Sequence, residues 1–195
     1  GGSGVVGTTA SGNWSDIAHW DLHSGGAGGD AVPDGETSVY FNAVSFTAPG
    51  QVVTLDAAAS VLNVDWTNAS NTPTFAGNQN LNITGDAKLT SAMIHTLSGA
   101  YKFSGANGRL YTNGCTMTGG YISVLAGTVN LQDDVNLTAT GTVRVQAGGV
   151  FITNNKTVTS NLFWDGGGAG AKTVTLGSST INCIQWNFLS DLVLT

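Results

Sequence analysis

Short apolar runs separated by turn residues dominate the chain from about residue 52 onward. Gly, Asn, Ser and Asp bound most of the runs, which is the turn chemistry that ends β-strands. No window of a dozen residues keeps the 3.6-residue apolar spacing of an amphipathic helix. The pattern therefore predicts an all-β chain, with strand-like runs at 52–55, 61–66, 81–83, 101–103, 121–124, 129–131, 135–137, 143–145, 150–152, 162–164, 174–176, 181–186 and 192–194.

The stretch VTLDAAASVLNV, residues 53–64, contains a change in the apolar alternation. Val53 and Leu55 occupy odd positions, whereas Leu62 and Val64 occupy even ones. One unbroken strand cannot bury both pairs on the same face, because side chains alternate with a period of two. A helix at the three alanines would need a nucleus inside a segment too short to support it. We therefore predict a tight corner at 56–60, with small residues where equivalent positions stack.

Comparable apolar starts recur along the chain at intervals of 21, 19, 21, 24 and 18 residues, at Leu89, Leu110, Val129, Val150, Val174 and Leu192. A spacing near 20, with two or three short strands per period, is typical of a β-solenoid coil. A β-sandwich is the alternative, although it favours longer strands and turns every 8–12 residues. The prediction is a parallel β-helix over 51–195.

Residues 1–50 form an irregular, turn-rich segment, predicted to act as an N-terminal cap or attachment region. Its aromatic residues are predicted to cover the first coil, the alternative being that they stack on sugar rings. Trp164 and Trp186, further along, are predicted to be core or interface residues. The aromatic residues of the first segment are Trp14, Trp20, Tyr40 and Phe41.

Charge is scarce, at 9% of residues against about 25% in an ordinary soluble domain. The net charge is −6, and the six basic residues form no cluster that could neutralise a run of phosphates, so nucleic-acid binding is not expected.

No apolar run of about 18 residues and no signal peptide is visible. The opening residues are typical of the interior of a longer protein or of a processed end. A charge-poor surface rich in Thr, Asn and Gly is common in extracellular and virion proteins, which favours that location.

Four segments carry a recurring arrangement, namely GNWSDIAHWD (12–21), VPDG (32–35), VVTLDAAASVLNVDW (52–66) and LNITGDAKLT (81–90). Together they resemble segments of phage virion proteins and of bacterial autotransporter passenger regions. They are similar to a Trp-containing opening followed by V-x-L and L-x-I repeats, over residues 12–90. The resemblance implies a secreted or virion-borne parallel β-helix, and it brings no catalytic residues with it.

Asp133 and Asp134 are the weak catalytic candidates, since β-helices can carry polysaccharide-cleaving carboxylates on an outer face. Neighbouring side chains in a strand point to opposite faces, so these two cannot pair simply by adjacency. Asp65, Asp86 and Asp165 are candidates to join them from other coils. A solvated turn is the favoured interpretation of Asp133 and Asp134.

Neither a metal nor a cofactor is predicted. His19 and His23, with Asp21 between them, would share a face only on a helix, which this segment does not signal. Aspartates between residues 16 and 34 offer oxygen ligands for calcium, namely Asp16, Asp21, Asp30 and Asp34, but their spacing matches neither an EF-hand loop nor a glycine-rich calcium nonapeptide.

Two further features carry little predicted chemistry. Gly166–Gly170 lacks the Lys-Ser/Thr of a phosphate-binding loop and is predicted to be a flexible outer loop. Cys115 and Cys183 are either a disulfide or two buried free thiols.

Residues 190–195 begin a strand and stop, which would leave an uncovered edge. We expect the chain to continue or another chain to cover this end, as in a larger assembly. The predicted function is an extracellular structural or adhesive module, not an enzyme: a phage tail-fibre or surface-decoration protein, or a bacterial surface passenger. Other subunits are its expected partners, with host-surface glycan as a further one. The alternatives are a polysaccharide-degrading β-helix enzyme and a glycan-binding β-sandwich.

Overall fold

The computed structural model describes residues 4–7, 11–138, 140–187 and 191–195, wound into a parallel β-solenoid of about 7 turns. The predicted all-β parallel β-helix is thus confirmed. The β-sandwich alternative is wrong, because a sandwich packs two antiparallel sheets. Helix in the described residues is confined to one 3₁₀ turn, Ile17–His19. The strands are β1 (Gly4–Gly7), β2 (Gly12–Asn13), β3 (Trp20–Asp21), β4 (Ser38–Tyr40), β5 (Val52–Leu55), β6 (Ala59–Val61), β7 (Asn63–Asp65), β8 (Thr74–Gly77), β9 (Leu81–Ile83), β10 (Ala87–Lys88), β11 (Ile94–Leu97), β12 (Ala100–Phe103), β13 (Asn107–Tyr111), β14 (Thr116–Met117), β15 (Tyr121–Val124), β16 (Gly127–Leu131), β17 (Val135–Leu137), β18 (Thr142–Val145), β19 (Gly149–Ile152), β20 (Thr157–Asp165), β21 (Lys172–Thr175), β22 (Thr180–Asn187) and β23 (Leu192–Leu194).

Most turns contribute three strands, so the solenoid has three faces of stacked strands. Face 1 contains β2, β5, β8, β11, β14, β17 and the first half of β20. Face 2 contains β6, β9, β12, β15, β18 and the second half of β20. Face 3 contains β4, β7, β10, β13, β16, β19, β21 and β23, with β1 beside β4. Pairing between successive turns is parallel because the chain passes each face in the same direction; β1 and β3 pair antiparallel.

From β5 onward the register between turns sets the period at 20 to 23 residues, and the step from β4 to β7 is 25 residues. On face 1, Phe75 pairs with His95, 20 positions further on. On face 3, Val64 pairs with Ala87, 23 positions further on. The predicted spacing near 20 is therefore correct to within a few residues.

Inward side chains stack in rows that form one continuous core along the solenoid. Such rows arise because equivalent positions of successive strands lie about 4.8 Å apart. On face 2 one row runs through Leu81, Tyr101, Ile122, Val143 and Phe163. All five are fully buried.

The corner predicted in the stretch 53–64 is present, but the change of alternation lies elsewhere. β5 ends at Leu55 and β6 begins at Ala59, so the chain bends at the alanines over a shorter span than predicted. Val61 is buried like Leu55, and the next buried residue is Val64. The alternation therefore changes at a second bend, at the partly exposed Leu62. The prediction took Leu62 for the inward residue in place of Val61.

Three asparagines hold corners where the chain leaves face 3. Asn71, Asn113 and Asn154 have φ values of 62°, 47° and 51°. This left-handed region suits Asn better than most residues. Each side-chain amide donates a hydrogen bond to a main-chain oxygen 23 to 25 positions earlier: Asn71 to Phe46 at 2.6 Å, Asn113 to Leu89 at 2.8 Å, and Asn154 to Leu131 at 2.8 Å.

The aromatic residues of the N-terminal segment are part of the core. Trp14, Trp20 and Phe41 are buried, and the Phe41 ring lies 3.7 Å from that of Trp66. These three rings are not accessible to sugar, so that alternative is wrong for them; Tyr40 is exposed. β2 pairs with β5 and β4 with β7, which joins the segment to faces 1 and 3. The domain boundary at residue 50 stays a prediction.

Faces 1 and 2 merge towards the C-terminal end of the described solenoid. β20 pairs with both β17 and β18, and β22 pairs with β20 along both halves. The loop after β20 contains the predicted glycine-rich outer loop. The ammonium group of the buried Lys172 donates to the main-chain oxygens of Gly168 at 3.1 Å and Gly170 at 3.4 Å, which anchors this loop.

Candidate functional site

Asp133 and Asp134 lie at the corner between β16 and β17, and each contacts a different neighbouring turn. Asp133 Oδ2 accepts a hydrogen bond from the main-chain N–H of Asn113 at 3.2 Å, one turn earlier. Asp134 Oδ1 accepts one from the main-chain N–H of Thr157 at 2.8 Å, one turn later. Both carboxylates thus connect turns, as suits residues of a corner. Their catalytic role stays a hypothesis.

The other aspartates named with them occupy different places. Asp65 and Asp86 line a groove of about 120 Å³ on face 3, together with Lys88. Lys88 Nζ lies 3.3 Å from Asp65 Oδ2, and Asp86 Oδ1 accepts the main-chain N–H of Arg109 at 3.0 Å. The side chain of Asp165 lies outside the described part of the chain. The structure thus brings Asp65 and Asp86 together, and it places Asp133 and Asp134 on a later turn at a different corner.

In the structure, the candidate metal ligands of the N-terminal segment lie in a different grouping from the one that the sequence suggested. One ligand atom each from Asp21, His23 and Asp30 lies within 4.8 Å of the others, whereas His19 pairs with Asp16 at 3.6 Å. The main-chain N–H groups of His23 and Gly28 donate to the Asp21 carboxylate at 2.8 and 3.0 Å.

These two bonds hold the pKa of Asp21 below its ordinary value. Asp30 accepts the N–H of Leu22 at 2.8 Å, and Asp34 accepts the hydroxyl of Thr37 at 2.6 Å. These carboxylates are therefore engaged in fixing local loops.

Both cysteines are free, which confirms the free-thiol alternative, but burial was predicted for both and Cys183 is only partly buried. Cys115 is buried, and burial raises the pKa of its thiol to about 11. Burial also raises the pKa of the partly exposed Cys183. At neutral pH both side chains are therefore thiols rather than reactive thiolates.

A groove that sequence analysis did not find runs along face 2. It has a volume of about 330 Å³ and crosses successive turns. We call it the face-2 groove, and it is formed mainly by the outward side chains of Asn80, Lys102, Tyr121, Ser123, Arg144 and Trp164.

One row of the groove follows the strand register. Lys102 pairs with Ser123, Ser123 with Arg144, and Arg144 with Trp164, on four successive strands. At about 4.8 Å per strand, the row spans about 14 Å. Tyr121 stands in the neighbouring row and is about half exposed.

Arg144 is held in a fixed position in the groove. Its Nη2 donates to the main-chain oxygen of Gly166 at 2.6 Å, and its guanidinium carbon lies 4.5 Å from the Trp164 ring centroid. A Cβ at Gly166 would stand 2.5 Å from Arg144 Nε, so glycine is required for this packing. Trp164 is a partly exposed, outward residue of this groove, so the prediction of a core residue is wrong for it, whereas the interface alternative stays a prediction.

Comparison of the chain with protein-family models, with curated proteins and with solved structures finds no match. Among the described residues, no helix is long and apolar enough to cross a bilayer. The face-2 groove combines cations, aromatic rings, a hydroxyl and an amide, which suits binding of a polar ligand.

Proposed function

We propose that this chain is an extracellular structural and adhesive module, on a virion as a tail-fibre or surface-decoration protein, or on a bacterial cell surface. In that setting it assembles with other subunits and holds outward side chains against a target surface. The solenoid supplies a regular framework, and the side chains on its faces supply recognition.

The regular outward spacing of side chains is the observation that carries this proposal. Inward positions form a continuous apolar core, while outward positions of successive strands stand about 4.8 Å apart in straight rows. Hydrogen bonds donated by the side-chain amides of Asn113 and Asn154, and accepted by the carboxylates of Asp133 and Asp134, connect neighbouring turns at the corners. Outward groups on such a framework are pre-organised, which lowers the entropic cost of binding an extended partner.

Binding and cleavage can be measured together. The purified chain, fluorescently labelled, is applied to immobilised acidic and neutral polysaccharides and to intact bacterial cells, while released reducing ends are assayed. We expect saturable binding to cells or to at least one polysaccharide, with no new reducing ends. The same chain after thermal unfolding is the control.

The outcomes separate adhesion from catalysis. Reducing ends that are released by the chain, and lost in the double variant Asp133→Asn/Asp134→Asn, would overturn the proposal in favour of the polysaccharide-degrading alternative. If the chain binds none of the cells and none of the polysaccharides, the adhesive role is overturned.

A further inference from the structure

The face-2 groove is the place where positive charge is concentrated without compensation. The chain carries six Lys and Arg against twelve Asp and Glu, yet two of the six cations, Lys102 and Arg144, line this groove. None of the residues described as lining it is a carboxylate. Charge complementarity therefore favours an anionic ligand at this position of an otherwise acidic chain.

Hydrogen-bonding groups in the groove are available to a ligand. Lys102 Nζ has no hydrogen-bond or ion-pair partner within the ranges that the structure describes, and Arg144 uses Nη2 on Gly166. By contrast, Lys88 on face 3 is paired with Asp65. A guanidinium group keeps further N–H donors that can bind a carboxylate.

Two aromatic side chains complete the set. Trp164 ends the row that contains Ser123 and Arg144, Tyr121 stands in the row beside it, and both side chains line the groove. Aromatic rings offer an apolar surface together with a polar group at the edge. A sugar ring needs both, since its C–H groups are apolar and its hydroxyls form hydrogen bonds.

We propose that the face-2 groove binds an acidic polysaccharide, with Lys102 and Arg144 contacting sugar carboxylates while Tyr121 and Trp164 contact the sugar rings. This inference rests on the proposed adhesive function and names its ligand class. Two cations are too few to neutralise a nucleic-acid backbone. The volume of about 330 Å³ is at the small end of ligand sites, which suits one or two sugar units of a longer chain.

Calorimetric titration with two matched probes tests the ligand class. The probes are tetragalacturonate, which carries a carboxylate on each sugar, and its methyl ester, which has the same rings without the charges. We expect tetragalacturonate to bind at least about tenfold more tightly than the ester, because only the acid forms charge-assisted hydrogen bonds. Its affinity should fall as salt is raised from 0.05 to 0.5 M, two conditions chosen to vary screening.

Variants locate the site. Lys102→Gln is expected to weaken tetragalacturonate binding about fivefold or more, and Trp164→Ala about tenfold or more, as loss of a charged hydrogen bond and of ring contact predicts. Lys156→Gln, which removes an equal charge outside the groove, is the matched control and should bind like the parent chain. Far-UV circular dichroism and thermal melting confirm that each variant is folded.

Each outcome decides a different point. Equal affinity for the acid and its ester, or equal binding of hexaglutamate, would overturn the acidic-sugar assignment. Binding that survives in both groove variants would overturn the site. If neither probe binds while the parent chain still binds cells or another polysaccharide, this inference fails and the proposed adhesive function stands. Failure of all binding overturns both.

Discussion

Asn154 both forms a corner of its own turn and bonds that turn to the previous one. Its positive φ lets the chain leave face 3, while its amide donates to the Leu131 main-chain oxygen one turn earlier. Aspartates at corners have a related role, since Asp86, Asp133 and Asp134 accept main-chain N–H groups of neighbouring turns. In the sequence these polar residues are indistinguishable from ordinary turn residues. Their hydrogen bonds to neighbouring turns can be identified only when the pairing of the strands is known.

Substitution of Asn154 separates these two contributions. Asn154→Ala is expected to lower the free energy of unfolding by about 2 kcal/mol, because it loses a hydrogen bond and forces Ala into the left-handed region. Asn154→Gly loses only the hydrogen bond, so we expect a loss of about 1 kcal/mol. Urea unfolding measures both. Equal losses in the two variants would show that backbone strain does not contribute.

His95 makes the free energy of unfolding depend on pH. Its Nε2 lies 3.2 Å from the Tyr101 hydroxyl, and burial lowers the pKa of the imidazole to about 4. The unfolded chain therefore binds a proton near pH 6.5 that the folded chain does not bind until pH 4. Stability from this group is complete above about pH 6.5 and decreases as pH falls toward 4, by up to about 3 kcal/mol.

Comparison of urea unfolding at pH 7 and pH 4.5 tests this term. His95→Gln keeps a hydrogen-bonding side chain but cannot titrate, so the variant should lose less stability between these pH values than the parent chain. His23→Gln, at an 87% exposed side chain, is the control and should behave like the parent. A pH dependence that is unchanged in His95→Gln would contradict the assignment.

Among the strands and their connections, the corners tolerate an added side chain least, because neighbouring turns come closest there. Between β11 and β12 the chain passes very close to the previous turn at Gly99. A Cβ there would stand 1.7 Å from the main-chain oxygen of Gln79. Because that atom belongs to the backbone, no side-chain rotation relieves the clash. The small residue is thus required by the neighbouring turn and not by its own conformation.

Gly99→Ala should therefore displace a corner. We expect a loss of about 3 kcal/mol or more in the free energy of unfolding, or failure to fold, as in severe overpacking. Gly35→Ala is the matched control, since its Cβ would meet Ser60 Cβ at an ordinary 3.7 Å, and it should stay within about 0.5 kcal/mol of the parent. Parent-like stability of Gly99→Ala would show that the two turns can separate at little cost.

The solenoid as a whole behaves as a one-dimensional stack in which each turn contacts its neighbours. Strands of the central turns are paired on both sides, whereas β22 pairs with β20 alone among the described strands. Such a stack opens most easily where fewer neighbours hold a strand. Local stability should therefore vary along the axis rather than from face to face.

Hydrogen exchange measured by mass spectrometry tests this expectation. Amides of β13, β15 and β16 should exchange at least about tenfold more slowly than those of β22 and β23. Leu110→Ala, at a fully buried position of β13, should speed exchange in the turns beside it. Leu194→Ala, at a half-exposed position of β23, should leave the central turns unchanged. Uniform exchange along the axis would contradict the stack description.

The sequence was sufficient to predict the winding but not the groove. Short runs at a spacing near 20 predicted the solenoid, because that period reflects the perimeter of one turn. Lys102 and Arg144 each stand between two apolar residues, which marks them as outward. Their alignment with Trp164 depends on successive register steps of 21, 21 and 20 residues, so no fixed period could bring all three into one row. Leu62 was misassigned for a different reason, since the second bend, at Leu62 itself, carries no Gly or Pro that would mark it in the sequence.

The hydrogen bonds at the corners mostly join a residue to one about a single perimeter away. Removing or duplicating one whole circuit in the middle of the chain would leave each remaining circuit beside a neighbour of the same kind. The molecule is modular in length: its axial extent can change in steps of about 4.8 Å without redesign of the interior. A binding strip along one side can lengthen in the same increments.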